Sequence, residues 1–138
     1  MAYAGELTAV ETYALLERDP DAVLIDVRTR AEWSYVGVPD LSGLGRGVVV
    51  VEWQSFPDGR PNPSFIGDLA AAGVRPDAPV AFICRSGARS RFAAEAATAE
   101  GFSAAYNVSD GFEGPLDPAG HRGTIAGWKA AGLPWRQT

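Results

Sequence analysis

Four short apolar runs, separated by helix-forming segments, constrain the fold of this chain more than any other feature. The runs cover residues 22–25, 48–51, 79–83 and 104–108. The first three runs are continuously apolar rather than alternating, which is the pattern of a strand buried on both faces. Strands that alternate with helices are joined by crossover connections and lie parallel to one another. The sequence therefore predicts an α/β fold: an open, mainly parallel sheet with helices on both faces.

The segments around these runs predict helices at residues 9–18, 29–35, 88–100 and 124–131, and a further helix that begins at 63 or 64 and ends at 72. Thr8 and Glu11 show the capping-box pattern at the start of the first helix. The connections 36–47, 52–62 and 109–123 exceed the usual length of about two to six residues, and loops of this length are often functional. No repeat or linker interrupts the pattern, so residues 1–138 are predicted to form a single domain.

The charge and the cysteine content exclude several classes of protein. The 138 residues carry a formal net charge of −5, and an acidic protein is poorly suited to bind nucleic acid or an anionic membrane. The chain has one cysteine, so it cannot form an internal disulfide. No signal-like segment opens the chain, and no apolar run approaches the roughly 20 residues that span a bilayer. These observations lead us to expect a cytoplasmic protein with a reduced thiol.

The single cysteine, Cys84, lies directly after the third apolar run and before a predicted helix. A free thiol has a pKa of about 8.5, and only its thiolate is a nucleophile. Three features favour ionisation here: the positive end of the helix dipole, converging N–H groups of residues 85–90, and the charges of Arg85 and Arg89. Gly87 permits the tight backbone of such a cup. We predict that Cys84 is the catalytic nucleophile; the alternative is a small apolar residue that ends a strand.

The same cup would bind an anion next to the sulfur. Its predicted substrate-binding residues are Arg85, Ser86, Gly87, Ala88, Arg89 and Ser90. Arg91 lies further into the helix, where the sequence is compatible with either a surface charge or a ligand contact. The ends of the predicted strands should bring Asp26, Glu52, Cys84 and Asn107 to one rim of the sheet, where open α/β folds place their sites.

Several segments, in order along nearly the whole chain, carry a family resemblance. They are LIDVRTRAEW at 24–33, VAFI at 80–83, CRSGARS at 84–90, YNVSDG at 106–111, GW at 127–128 and GLP at 132–134. Together they resemble the single-domain rhodaneses, a family of sulfurtransferases. The resemblance implies a rhodanese-like fold and a persulfide on Cys84. It also implies a small anionic sulfur donor such as thiosulfate, a cyanide, thiol or protein acceptor, and no metal or organic cofactor.

Two segments depart from the pattern of that family. Where the family usually has a Gly-His-Ile-Pro-Gly-like segment, this chain has VGVPD at 36–40, which lacks the histidine and which we interpret as a structural turn. Residues 113–125 are predicted to be a loop insertion, and they contain the only histidine, His121. A surface or capping role for His121 is favoured over a mobile acid–base or lid role. One Cys and one His argue against a metal site.

The spacing within the cysteine loop separates the relatives of this family. In the related phosphatases and arsenate reductases, five residues lie between the cysteine and the anion-binding arginine, whereas four residues separate Cys84 from Arg89. The shorter cup suits a sulfur atom on the cysteine better than a phosphate above it. Sulfur transfer is therefore the predicted function. The main alternative is a sulfur-relay or persulfide-sensing module that acts on a protein partner; a phosphatase, an arsenate reductase and an inactive scaffold are less favoured.

A few residues near the strand ends are predicted to support the site. Asp26 and Arg28 are expected to pair and brace the rim, with direct substrate contact as the alternative. Trp53 and Phe56 follow a strand end, where they either wall the pocket or pack in the core. Glu32 is expected to be a bracing or surface charge rather than a general base.

Overall fold

The structure is a computed structural model that describes residues 3–137, and a parallel sheet lies at its centre. Within these residues the strands are β1 (Gly5–Leu7), β2 (Val23–Asp26), β3 (Val38–Pro39), β4 (Val49–Val50), β5 (Val80–Ile83), β6 (Ala105–Val108) and β7 (Trp135–Arg136). Five of them form one sheet in the order β1-β6-β5-β2-β4, and every neighbouring pair in it is parallel. Strands β3 and β7 form a small antiparallel pair.

Four of the five predicted helices are present, with ends that shift by up to two residues. They are α1 (Ala9–Arg18), α2 (Arg30–Tyr35), α3 (Phe65–Ala71) and α4 (Ala88–Ala99), and a short 3-10 turn covers Ser42–Leu44. The predicted capping box of α1 is confirmed, because the Thr8 side chain accepts the N–H of Glu11 and the Glu11 side chain accepts the N–H of Thr8. Thr29 and Glu32 form a second capping box at α2. Among residues 3–137, no helix combines the length and the apolar content that a membrane crossing requires.

Helices cover both faces of the sheet, as predicted. Successive side chains of a strand point to opposite faces. Phe82 of β5 therefore packs in one apolar cluster with Phe65 of α3 and with alanines of α4. Its neighbour Ala81 packs in the other cluster with Leu16 of α1 and with Trp128. The two clusters make β5, with its four buried residues, the centre of the molecule.

The edges of the sheet differ from the prediction. Only Val49–Val50 of the predicted strand 48–51 pairs, and it does so at an edge, where Val50 is 44% exposed. The prediction of a strand buried on both faces is therefore wrong here. A run of β-branched residues indicates a strand but does not distinguish an edge from the centre of a sheet. Strand β1, at the opposite edge, escapes prediction because its three residues begin with Gly5 and carry no apolar run.

The predicted helix over residues 124–131 is also wrong, since the chain forms turns there. The backbone N–H groups of Trp128 and Lys129 donate to the carbonyl oxygens of Gly111 (2.9 Å) and Phe112 (3.1 Å). Gly127 has a φ of +103°, which is incompatible with a continuous right-handed helix. Trp128 is fully buried and its Nε1 donates to the carbonyl oxygen of Pro134 at 2.6 Å. The chain therefore buries the Trp128 indole and forms backbone hydrogen bonds to residues 111 and 112 instead of forming the predicted helix.

A buried ion pair closes the carboxyl end of β2. Both side chains of the Asp26–Arg28 pair are fully buried, and the shortest contact, Nη2 to Oδ2, is 2.6 Å. The same Nη2 donates to the carbonyl oxygen of Gly37 at 2.7 Å. The guanidinium carbon lies 4.3 Å from the centre of the Phe112 ring, in a cation–π contact. The predicted Asp26–Arg28 pair is thus present, and it links β2 to the segment 36–40 and to the segment after β6. Segment 36–40 is not the turn that the sequence suggests, because Val38–Pro39 pairs with β7 as strand β3.

Removal of the buried guanidinium is expected to destabilise the fold strongly. Arg28→Met leaves the Asp26 carboxylate buried without a cation, which costs about 3–5 kcal/mol of unfolding free energy. Urea denaturation followed by circular dichroism measures the loss. The matched control is Arg75→Ala, because the Arg75–Asp77 pair is exposed and such pairs contribute at most about 1 kcal/mol. Equal losses in the two variants would contradict the role of the buried pair.

Candidate active site

Cys84 occupies the tip of the central strand. β5 ends at Ile83, and Cys84 follows it with 1% of its surface exposed. The chain then turns within three residues, and α4 begins at Ala88 with Gly87 as its N-cap at a φ of +105°. A Cβ at Gly87 would lie 2.4 Å from the carbonyl oxygen of Ser109. Only glycine therefore combines this backbone conformation with this close approach.

The sulfur accepts hydrogen bonds from two of the loop amides. Gly87 N lies 3.2 Å and Ser90 N lies 3.4 Å from Cys84 Sγ. The Ser90 hydroxyl oxygen is a third neighbour, at 3.1 Å. Within residues 3–137, the amides of Arg85, Ser86, Ala88 and Arg89 make no such bond, so the sulfur contacts fewer amides than a complete nest over residues 85–90 would provide.

The segment after β6 holds the loop in place from behind. Phe112 N donates to the carbonyl oxygen of Cys84 (2.8 Å), and Glu113 N donates to that of Arg85 (3.0 Å). Gly111 lies so close to the loop that a Cβ on it would be 2.4 Å from the carbonyl oxygen of Arg85. The sequence marks this glycine turn by its family resemblance, but its direct hydrogen bonds to the cysteine loop follow only from the tertiary structure.

Arg89 is paired with a carboxylate from α2. Its Nη1 and Nη2 donate to the two carboxylate oxygens of Glu32 at 2.7 Å and 3.0 Å. Burial alone would raise the pKa of Glu32. The hydrogen bonds from Arg89 and from the Thr29 backbone, together with the charge of Arg89, have the opposite and larger effect. The pKa of Glu32 therefore lies below its ordinary value of 4.5. The same bond to Glu32 is the main cause that raises the pKa of Arg89. Glu32 therefore braces the loop and compensates the charge of Arg89.

A cavity of about 610 Å³ opens beside the loop. Its wall combines α2, the 52–62 loop and the 113–125 segment. Its lining includes Glu32, Tyr35, Phe56, Arg85, Arg89, Glu113 and Arg122. Three arginines thus meet two carboxylates, and one carboxylate is already bonded to Arg89. Tyr35, Glu113 and Arg122 carry no motif signal, and only the fold brings them to this site.

Other predicted residues take different positions. Trp53 packs edge-on against Phe65, with 5.1 Å between the ring centres, and it lies outside the lining of the cavity. Phe56 does line the cavity. His121 is exposed in the 113–125 segment, where its backbone N–H donates to Asp117, and its neighbour Arg122 reaches the cavity instead. Residues 3–137 contain no group of three or more His, Cys, Asp or Glu side chains that could hold a metal ion.

The parallel sheet matches those of its structural neighbours, and with its rhodanese-like relative this makes the molecule a rhodanese-like α/β protein. The chain belongs to the STR4 middle domain family, whose family model matches residues 4–138. It is 36% identical over 130 residues to an uncharacterized protein of Rickettsia conorii, covering 94% of this chain and 95% of the relative. It is 30% identical over 132 residues to Rhodanese-like domain-containing protein 4, chloroplastic, of Arabidopsis thaliana, covering 95% of this chain and 25% of that protein.

Solved structures show the same fold. The crystal structure of Rv0390 from M. tuberculosis superposes with a TM-score of 0.90 at 55% identity, covering 99% of both chains. The polysulfide-sulfur transferase homodimer from Wolinella succinogenes superposes with a TM-score of 0.63 at 26% identity, covering 96% of this chain and 78% of that chain. The Wolinella neighbour supports a sulfurtransferase-type fold over 96% of this chain.

Acid is expected to weaken the Glu32–Arg89 pair. Because the folded pKa of Glu32 lies below its ordinary value, the carboxylate stabilises the fold above that value, and the contribution disappears as the pH falls through the folded pKa. Glu32→Gln keeps an oxygen for the capping box but removes the charge. Between about pH 5 and pH 3, the wild type should lose more unfolding free energy than the variant. Urea titrations at both pH values measure this, and equal losses would show that the pair adds no pH dependence.

Proposed function

We propose that this protein is a sulfurtransferase of the single-domain rhodanese type, which carries a sulfane sulfur as a persulfide on Cys84. The observation that supports this best is the surroundings of Cys84 Sγ, which accepts the N–H groups of Gly87 and Ser90 at the N-terminus of α4. Such surroundings suit an anionic sulfur, either a thiolate or a persulfide. The spacing of four residues between Cys84 and Arg89 also favours a cup for sulfur over a cup for phosphate.

The reaction would proceed in two half-reactions. The Cys84 thiolate attacks the outer sulfur of thiosulfate, a new S–S bond forms on Cys84, and sulfite leaves with the electron pair of the broken S–S bond. The loop amides, Arg85 and Arg89 stabilise the charge that develops on the leaving group. An acceptor thiolate or cyanide then attacks the outer sulfur, and Cys84 leaves as the thiolate. The covalent intermediate implies ping-pong kinetics.

The comparisons support the class of reaction, and the donor is our inference. The Wolinella neighbour is named a polysulfide-sulfur transferase, and the Arabidopsis relative is named rhodanese-like. The arginines around the cavity favour a small anion such as thiosulfate as the donor for this chain. We place the reaction in the cytoplasm, because reducing conditions there keep a lone thiol available.

A protein acceptor is the second candidate. Tyr35 is 83% exposed and Phe56 is 68% exposed, and both line the cavity together with Arg85. Exposed aromatic rings beside an arginine are typical of surfaces that contact other proteins. With such an acceptor, the protein would act as a sulfur relay that forms the persulfide on Cys84 but transfers its sulfur to free cyanide slowly.

Thiosulfate treatment is expected to add the mass of one sulfur atom to the intact protein. Mass spectrometry of the whole chain measures this, and Cys84→Ser is the matched control because it removes the chain's only thiol. If folded wild-type protein gains no sulfur from thiosulfate or from polysulfide, the proposed function fails.

Two further assays separate the alternatives. Rapid turnover with cyanide indicates a thiosulfate sulfurtransferase, whereas transfer to a protein thiol without such turnover indicates the relay. Hydrolysis of an aryl phosphate that depends on Cys84 would instead indicate a phosphatase.

A further inference from the structure

A buried chain of hydrogen bonds lies behind Cys84, and the proposed reaction does not use it. Ser90 Oγ lies 3.1 Å from Cys84 Sγ and 2.5 Å from Asn107 Oδ1. Ser90 is fully buried and Asn107 is 2% exposed. The Asn107 side-chain nitrogen lies 2.9 Å from Glu6 Oε1 and 3.1 Å from the carbonyl oxygen of Gly87. Asn107 and Glu6 lie side by side on β6 and β1, where their Cα atoms are in register.

The surroundings of Asn107 determine which way its amide points. Its two N–H hydrogens have two acceptors, the Glu6 carboxylate and the Gly87 carbonyl oxygen. A flipped amide would place the Asn107 oxygen against both of these acceptors, which is repulsive. Asn107 Oδ1 therefore faces Ser90.

The direction of the remaining bonds follows from counting hydrogens. Two oxygen atoms 2.5 Å apart require a proton between them, and Asn107 Oδ1 has none to give. The Ser90 hydroxyl has a single hydrogen, so Ser90 donates it to Asn107. Ser90 Oγ then faces Cys84 Sγ only as an acceptor, and the bond between them needs the S–H of Cys84 as its donor.

We propose that Asn107, oriented by Glu6, holds the Ser90 hydroxyl as an acceptor toward Cys84 and so keeps the resting nucleophile in its thiol form. The proposal rests on the role of Cys84 as the nucleophile under the proposed function. When the thiol proton leaves to solvent, Ser90 Oγ faces an anionic sulfur. As long as the hydroxyl hydrogen stays on Asn107, Ser90 Oγ gives that anion no O–H donor, which disfavours the thiolate. Ser90 and Asn107 are therefore positioning residues.

The charged groups around the loop act alongside this hydroxyl. Arg85 and Arg89, from the loop and α4, favour the thiolate, and Glu32 on α2 compensates Arg89. The fully buried Asp26–Arg28 pair at the end of β2 is internally neutral.

Glu6 on β1 is bonded to Asn107 and also accepts a hydrogen bond from the hydroxyl of Tyr3. The bond to Glu6 is the main cause that raises the pKa of Tyr3. The arginines thus favour the thiolate of Cys84, whereas the acceptor role of Ser90 favours its thiol.

Alkylation of the single thiol by iodoacetamide tests the proposal without any sulfur donor. Asn107→Leu removes the acceptor, frees the Ser90 hydrogen for the sulfur, and is expected to raise the alkylation rate at pH 7 about tenfold, as one hydrogen bond to a charged atom implies. Ser90→Ala is the matched control. In a protein that already carries Ser90→Ala, adding Asn107→Leu should not raise the alkylation rate, because the Ser90 hydroxyl is absent. The proposal is overturned if Asn107→Leu leaves the rate unchanged or lowers it, or accelerates the reaction equally without Ser90.

A second measurement does not depend on the Asn107 variant folding. The chain has one cysteine, so the infrared S–H stretching band reports Cys84 alone. The band is expected at lower frequency in the wild type than in Ser90→Ala, because an S–H that donates a hydrogen bond has a weakened bond. Equal frequencies would overturn the proposal. Failure to load sulfur from either thiosulfate or polysulfide would overturn the proposed function and leave these thiol measurements interpretable, so the two failures are distinguishable.

Discussion

The buried ion pair between Asp26 and Arg28 is the interaction on which the remainder of the site depends. The guanidinium of Arg28 reaches the carbonyl oxygen of Gly37 and lies over the Phe112 ring. The backbone N–H of Phe112 in turn donates to the carbonyl oxygen of Cys84. A buried charge is tolerated only where its partners are in place. The positions of the segment 36–40, the segment after β6 and the cysteine loop are therefore coupled through one side chain.

Partial charge compensation by internal partners characterises the cysteine loop and its surroundings. Each terminal nitrogen of Arg89 donates one hydrogen bond to Glu32, and the Ser90 hydroxyl donates to Asn107. Cys84 Sγ keeps two amide donors, from Gly87 and Ser90. The resting loop is thus held by internal partners, and a carboxylate already compensates the charge that Arg89 presents to an incoming anionic donor.

Local signals in the sequence proved reliable for this protein. The capping box of Thr8 and Glu11 depends on residues three apart, and it marks the start of α1 correctly. The position of Cys84 between β5 and α4 depends on an adjacent apolar run and an adjacent helix, and it is likewise predicted. The helix over 124–131 failed because burial of Trp128 and bonds to residues 111–112 outweigh local propensity. A strand does form within residues 48–51, but the expectation that it is buried on both faces failed because a valine run carries no information about sheet edges.

By itself, the sequence determined the α/β class, the strand that carries Cys84 and the glycine that lets its loop turn, because each of these is encoded by neighbouring residues. The tertiary structure alone decided how the loop is balanced. Arg89 and Glu32 are 57 positions apart, and Ser90 and Asn107 are 17 apart. A sequence lists the donors and acceptors, but only the packed chain brings them within about 3 Å, where a hydrogen bond forms. That proximity decides whether a charged group or a hydroxyl is bonded to another residue of the chain or remains available to bind a ligand.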